Sequence, residues 1–333
     1  MSNFGATILD ADGLSLSKDE KAFFRDADPF GFIIFARNID TPDQVYGLCS
    51  EFREAVGRDA IITIDQEGGR VQRLRGPTWT EWLSPLDFVQ AAGDDAERAM
   101  YLRYRHIAYE LKSLTIDCNC APMVDLLVKD THEFLRNRCY GASPSDISVL
   151  GRAAAQGHLD GGVVPVVKHM PGHGRSSLDS HYDLPHVNVS LDTLRETDFA
   201  PFRDLNNLPM GMTAHVVYEA VDEAPATLSA DVLKLIRDEI GFDGLIMTDD
   251  IGMKALQGTS DQITRRALDA GCDVVLHCNA PLASRVASAN AAGQMTDASQ
   301  ARAEAALAAR QTPDDIDIIE LNAELGALLG GAG

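Results

Sequence analysis

Short apolar runs and helical stretches alternate along this chain eight times, and no two of the apolar runs are joined by a hairpin turn. No other feature restricts the possible folds as strongly. The runs predict strands at Ala6 to Leu9, Gly31 to Ala36, Ile61 to Ile64, Asp117 to Asp125 and Val163 to Val167, then from Met210, Gly244 and Asp273. Between them the pattern predicts helices, among them Pro42 to Val56, Asp94 to Lys112, Ser145 to Asp160 and Leu191 to Leu205. A further helix is capped by Ser229 and closed by Gly241. Strands joined through helices run parallel, because each crossover returns the chain to the same end of the sheet. Eight such units in 333 residues, with no linker or low-complexity segment, predict one α/β domain over residues 1–333, a (β/α)8 TIM-type barrel. The Ala-rich tail from Ala301, interrupted by PDDIDIIE, predicts extra C-terminal helices that close it.

The polar residues fall at one end of these strands. Arg37, Asp65, Asp125, Lys168, His215 and Asp249 all stand at or just past C-terminal strand ends, the face on which barrels of this kind build their sites. The densest stretch is KHMPGHGRSSLDSHYDLP, residues 168–185, expected as a loop, with Lys168, His169, His173, Asp179 and His181 inside fourteen residues. It admits three readings. The histidines can be ordinary hydrogen-bonded loop residues. His169, His173 and His181 with Asp179 or Asp183 can supply metal ligands, although the spacing matches neither a helical HExxH pair nor a Cys/His knuckle. Alternatively, Asp179 orients His181 for proton transfer.

Composition removes other classes of function. A formal net charge of -21 repels phosphate backbones and anionic bilayers, so neither nucleic acid nor membrane is an expected partner. No apolar run approaches the roughly 18 residues of a membrane span. The N-terminal MSNFGATILDADG lacks a basic segment followed by an apolar stretch, which predicts a cytoplasmic protein. Six cysteines, without a CxxC or regular spacing, read as reduced thiols, with Cys118 and Cys120 as packing residues.

A rim carrying an aspartate at one strand end and an Asp-His pair nearby suits displacement at an anomeric carbon. One carboxylate attacks, and a second group protonates the departing oxygen and then activates water. Asp249 or Asp250 can be the nucleophile, and periodicity does not choose, because both faces of GLIMT are apolar. His181, oriented by Asp179, takes the acid/base role more often held by a carboxylic acid. Read alone, Asp249 and Asp250 are also plausible caps for a following helix.

The runs KHMPGHGRSSLDSHYDLP, DQEGGRVQR, GFIIFARNI and TDDIGMKA, four separate motifs in the expected order along the chain, resemble the bacterial family-three β-N-acetylglucosaminidases of cell-wall recycling over residues 5–290. The resemblance implies a single barrel that removes terminal β-linked N-acetylglucosamine from cytosolic muropeptides with retention. Its carbohydrate substrates would be GlcNAc-anhydroMurNAc and its peptides, with no metal and no organic cofactor. It also implies Asp249 as nucleophile, His181 as proton donor and acceptor with Asp179 as its partner, and Asp65, Arg73, Arg138, Lys168 and His169 as sugar contacts. Arg175-Ser176 and Cys139 depart from the family pattern, which bears on fine substrate preference. His173 is expected to orient its loop through hydrogen bonds, and Glu67 and Arg70 to secure a turn. A phosphorylase using the same Asp and His is the alternative, since a neutral imidazole admits phosphate more readily than a carboxylate does. Attack by the substrate's own acetamido oxygen is another route. A sugar-binding barrel without chemistry would need neither Asp249 nor His181, and both are present.

Overall fold

The apolar runs form eight strands: β1 (Gly5–Leu9), β2 (Pro29–Ile34), β3 (Ile61–Ile64), β4 (Cys118–Asn119), β5 (Val164–Met170), β6 (Met210–Thr213), β7 (Leu245–Met247) and β8 (Val275–His277). This computed structural model describes residues 3–176 and 184–330, so Asp179 and His181 lie outside the described residues. Each strand pairs in parallel with its successor from β1 to β7, β1 also pairs with β8, and a parallel bridge from Met247 to Val274 all but closes the ring. The architecture is the expected TIM-type (β/α)8 barrel with additional C-terminal helices, Asp297–Ala308 and Ile318–Leu328.

The period of two along each strand divides the core. Ile61, Val164, Val166, Met210, Met212, Leu245 and Met247 belong to one buried cluster, while the alternate residues Ile62, Ile64, Val163, Val167 and Ile246 belong to another that packs against the helices. Against the outer face, Phe52 stacks on Phe32 at 4.2 Å between ring centroids, and Phe24 meets Phe32 edge-on at 5.0 Å. The C-terminal helix is tied down where His106 Nδ1 donates to Asn322 Oδ1 at 2.7 Å and Arg98 forks onto Glu324.

Three elements differ from expectation. The fourth strand, expected over Asp117 to Asp125, is only two residues long. Pro122 has no N–H for a ladder, and pairing resumes as an isolated bridge from Met123 to Lys168. The fifth continues to Met170, so Lys168 and His169 stand on a strand rather than a loop. The helix expected over Leu191 to Leu205 divides into Leu191–Glu196 and Ala200–Asp204, with Pro201 in the first turn of the second piece. Ser229 and Gly241 cap as expected, Gly241 at φ 76. All six cysteines are buried and free.

Helices Ala96–Ser113 and Pro144–Asp160 approach so closely that a Cβ on Gly157 would lie 2.5 Å from the Tyr101 carbonyl oxygen and 2.9 Å from the Arg105 nitrogen. Both neighbours are backbone, so a methyl group must push the helices apart. Gly157→Ala is expected to lower stability by about 1–3 kcal/mol in urea denaturation. Unchanged stability would show that the two helices have slack at this crossing.

Candidate active site

The interior positions of three strands, carried one step beyond the apolar layers, are Asp65 after Ile61 and Thr63, Lys168 after Val164 and Val166, and Asp249 after Leu245 and Met247. Alternation alone therefore aims three charged side chains at the C-terminal mouth of the barrel. They line one pocket of about 320 Å3 together with Arg73, Arg138 and His169, near the lower end of the range for small-molecule sites. Every proposed sugar contact among the described residues, and the proposed nucleophile, is thus brought to one place. Asp250 also borders the pocket, but its Oδ1 accepts from the amides of Gly252 at 2.9 Å and Cys278 at 3.2 Å, which commits it to holding a turn. No helix starts directly after Asp250, so the helix-cap reading of this pair does not hold.

Lys168 is the hub. Its ammonium lies 3.1 Å from Asp65 and 2.7 Å from Glu67. Glu67 in turn accepts two hydrogen bonds from the Arg138 guanidinium at 2.8 and 2.9 Å, and Asp65 accepts one from Arg73 at 2.8 Å. Burial pushes both carboxyls up, but the neighbouring cations outweigh it. Glu67 is held down at about 2, and Asp65 lies well below the usual carboxylate range. Burial lowers Lys168, yet Glu67 and Asp65 keep it above its ordinary value.

A short hairpin, Gln66–Gly68 against Val71–Gln72, returns the chain so that Arg73 reaches Asp65. Gly68 and Gly69 turn it at φ 108 and 58, where a side chain would be strained. Gln66 Oε1 accepts the amide hydrogens of Arg73 and Leu74, which fixes the return. Opposite, Asp125 is fully buried and accepts from His169 Nδ1 at 2.7 Å and from the amides of His169 and His173. A register shift between Val167 and Met170 lets consecutive Lys168 and His169 both line the pocket. His173, expected to orient its loop, is bonded there through its own amide, and burial first and His169 second lower its ring to about 4. Arg175 points away from the pocket, onto Asp198 at 2.6 Å and Thr197 at 3.0 Å.

Asp249 is half-buried at the pocket floor and receives the Asp250 amide hydrogen at 2.8 Å. Burial raises its carboxyl, but His215, His169, that amide and Lys168 together hold it below the ordinary carboxylate value, so it is ionised at neutral pH. Around it stand acceptors at Asp65 and donors at Lys168, Arg73, Arg138 and His169. That mixture suits the hydroxyl groups of a sugar ring, each of which both donates and accepts. Among the described residues no group of three or more His, Cys, Asp or Glu side chains is arranged to hold a metal ion, and His169 Nδ1 is already committed to Asp125.

Glu67, Asp125 and His215 carry more of this arrangement than motif spacing alone reveals. The sequence signal for Glu67 was its place two residues beyond Asp65, on the turn back towards Arg73.

Residues 9–309 match the description Glycosyl hydrolase family 3 N terminal domain. The chain belongs to glycosyl hydrolase family 3. A relative named beta-hexosaminidase from Alkalilimnicola ehrlichii is 35% identical over 288 residues, covering 83% of this chain and 81% of the relative. The crystal structure of native NagZ from Neisseria gonorrhoeae superposes with a TM-score of 0.84 at 30% identity, over 99% of this chain and 97% of that one. NagZ from the same organism in complex with N-trifluoroacetyl-D-glucosamine gives a TM-score of 0.80 at 29% identity, over 100% and 99% of the two chains. In this family-3 chain the pocket and its charged ring occupy the C-terminal face of a barrel that the solved relatives share.

The Glu67 network makes a pH prediction. A carboxyl depressed from 4.5 to about 2 by folding stabilises the native state above its unfolded pKa, and that contribution fades as pH falls from about 4.5 towards 2. Glu67→Gln leaves Lys168 and Arg138 under-compensated, which is expected to cost about 3–5 kcal/mol at pH 7 in urea denaturation. The difference from wild type should shrink across that acid window. A gap independent of pH would show that Glu67 stabilises by packing and not by charge.

Proposed function

We propose that this β-N-acetylhexosaminidase, a glycoside hydrolase, removes non-reducing terminal β-linked N-acetylglucosamine from cytosolic muropeptides in peptidoglycan recycling. GlcNAc-anhydroMurNAc and its peptides would be the substrates, and residues 1–333 would act as one catalytic barrel. The observation that carries the reading is the ionised Asp249 carboxylate on the floor of a pocket whose walls supply sugar-binding donors and acceptors. Likeness to proteins named beta-hexosaminidase supports the sugar class, and a relative bound to N-trifluoroacetyl-D-glucosamine supports the acetamido sugar. No helix among the described residues is long and apolar enough to cross a membrane.

In this reading an Asp249 oxygen attacks the anomeric carbon as the glycosidic bond breaks, and His181 gives its proton to the departing oxygen. The same imidazole then takes a proton from water. That water attacks the anomeric carbon, releases Asp249 and leaves the sugar with its original configuration. Asp179 orients His181 and stabilises its charged form. Asp65, Arg73, Arg138, Lys168 and His169 hold the ring hydroxyls and acetamido group, so the anomeric carbon sits above Asp249. Because these side chains are already locked to one another, little reorganisation accompanies binding.

Release of p-nitrophenol from the β-N-acetylglucosaminide, in phosphate-free buffer with chelator, tests the reaction class. Wild type should turn over, and Asp249→Asn should lose about 1,000-fold or more. His181→Ala should slow both steps, with azide partly restoring the second. Turnover that requires phosphate and yields a sugar 1-phosphate would replace the hydrolase with the phosphorylase. Full activity in Asp249→Asn would remove the assigned nucleophile.

A further inference from the structure

Behind the pocket floor lies a chain of buried polar side chains whose hydrogen bonds run to one another and to the Asp250 and Ala214 carbonyls. His215 follows β6, Thr213 ends that strand, and Thr227 sits on the single turn Ala226–Leu228; all three are fully buried. His215 Nε2 stands 3.0 Å from the Asp250 carbonyl oxygen. A carbonyl can only accept, so Nε2 carries the hydrogen. On the other side of the ring, Nδ1 lies 2.7 Å from the Thr227 hydroxyl, which is itself 2.8 Å from the Thr213 hydroxyl and 3.1 Å from the Ala214 carbonyl. Both ring nitrogens are therefore engaged, and rotating the imidazole would break two hydrogen bonds in a buried setting.

The residue that His215 grips is also the residue that holds Asp249. The Asp250 carbonyl is bound to His215, and the Asp250 amide donates to Asp249 Oδ1 at 2.8 Å. We infer that His215, fixed by Thr227, is a positioning residue for the displacement step: it anchors the Asp250 backbone so that the Asp250 amide holds the Asp249 carboxylate in its attacking orientation. The inference rests on Asp249 being the nucleophile.

The electrostatics agree with this geometry. After burial, which raises the Asp249 carboxyl, His215 is the largest influence lowering it, ahead of His169, the Asp250 amide and Lys168. The other titratable groups that share the pocket with Asp249 are Asp65 and Arg73 from the end of β3 and its hairpin, Arg138, His173 from the turn after β5, Cys278 after β8 and Asp250 itself, with Cys120 from the segment after β4 close by. A histidine that merely filled the core would stabilise the fold without acting on the nucleophile's ionisation.

Steady-state kinetics on p-nitrophenyl β-N-acetylglucosaminide, with inhibition by free N-acetylglucosamine as a measure of sugar binding, separate these roles. His215→Phe keeps the bulk and removes both hydrogen bonds. It is expected to lower kcat/KM by about 10- to 100-fold while sugar binding stays within about twofold of wild type. The acid limb of its kcat/KM profile should move upward by roughly half to one pH unit, because the carboxylate loses support for its ionised form. His215→Gln, whose amide can still donate to the Asp250 carbonyl, should recover activity to within about fivefold of wild type.

A folded His215→Phe with wild-type kcat/KM and an unmoved acid limb would overturn the inference. So would a loss that sugar binding shares equally, or one that His215→Gln does not relieve. Should His215→Phe fail to fold, Thr227→Val decides by the same profile: an upward shift of the acid limb supports the inference, and an unchanged profile overturns it. Asp249→Asn is run alongside. If that variant remained active, the nucleophile assignment would fall and the inference with it. If it were inactive while the His215 variants behaved as wild type, only the inference would fall.

Discussion

A lysine with almost no exposure to water stands between two carboxylates at the mouth of this barrel, and each carboxylate is bound in turn by an arginine. Taking one of these charges out of water alone would cost several kcal/mol, so each is tolerable only with the others in place. The consequence is positional. Lys168 ties β5 to the end of β3, Glu67 draws in Arg138 from beyond the short helix Glu133–Arg136, and Asp65 draws in Arg73 from the hairpin. Three stretches of chain far apart in sequence, residues 65–73, Arg138 and Lys168, are fixed to one another before any ligand arrives. A pocket built this way presents hydrogen-bond donors and acceptors at set distances, as discrimination between sugar hydroxyls requires.

The barrel makes that convergence inexpensive in conformational terms. Parallel strands of period two deliver every second residue to the interior, and the last interior positions of β3, β5 and β7 are where apolar layers give way to charge. Asp249 gains ionisation from the same crowding: the cation of Lys168, the imidazoles of His215 and His169, and one backbone amide together outweigh its burial. The site is thus an extension of the core's own geometry, with electrostatics substituted for packing at its upper edge.

Much of this was legible in the sequence. Eight apolar runs separated by helices specified the barrel and its order of strands. Asp65, Lys168 and Asp249 were visible because each directly follows an apolar run. Arg73 and Arg138 came only through family motifs, since their partners lie 8 and 71 residues away and no local pattern reveals such pairs. Glu67 and Asp125 are hard to read from sequence for the same reason: what makes them matter is a buried cation or imidazole from another strand. The choice between Asp249 and Asp250 could not be made from a strand apolar on both faces, and hydrogen bonding to Gly252 and Cys278 assigns Asp250 to a turn. Strand ends were misplaced where Pro122 broke a ladder and where the fifth strand ran on through polar residues, because hydropathy marks burial and not backbone pairing. The assignments of Asp179 and His181 rest on the family resemblance and on their chemistry.

In the proposed reaction Asp249 forms a covalent bond to the sugar. The most direct measurement is mass spectrometry of the protein after incubation with a 5-fluoro-N-acetylglucosaminyl fluoride, whose C5 fluorine slows both steps while its good leaving group keeps the first accessible. One sugar equivalent per chain is expected, mapped by peptide sequencing to Asp249. A label on another residue, or rapid turnover of the reagent with no adduct at any time, would contradict it.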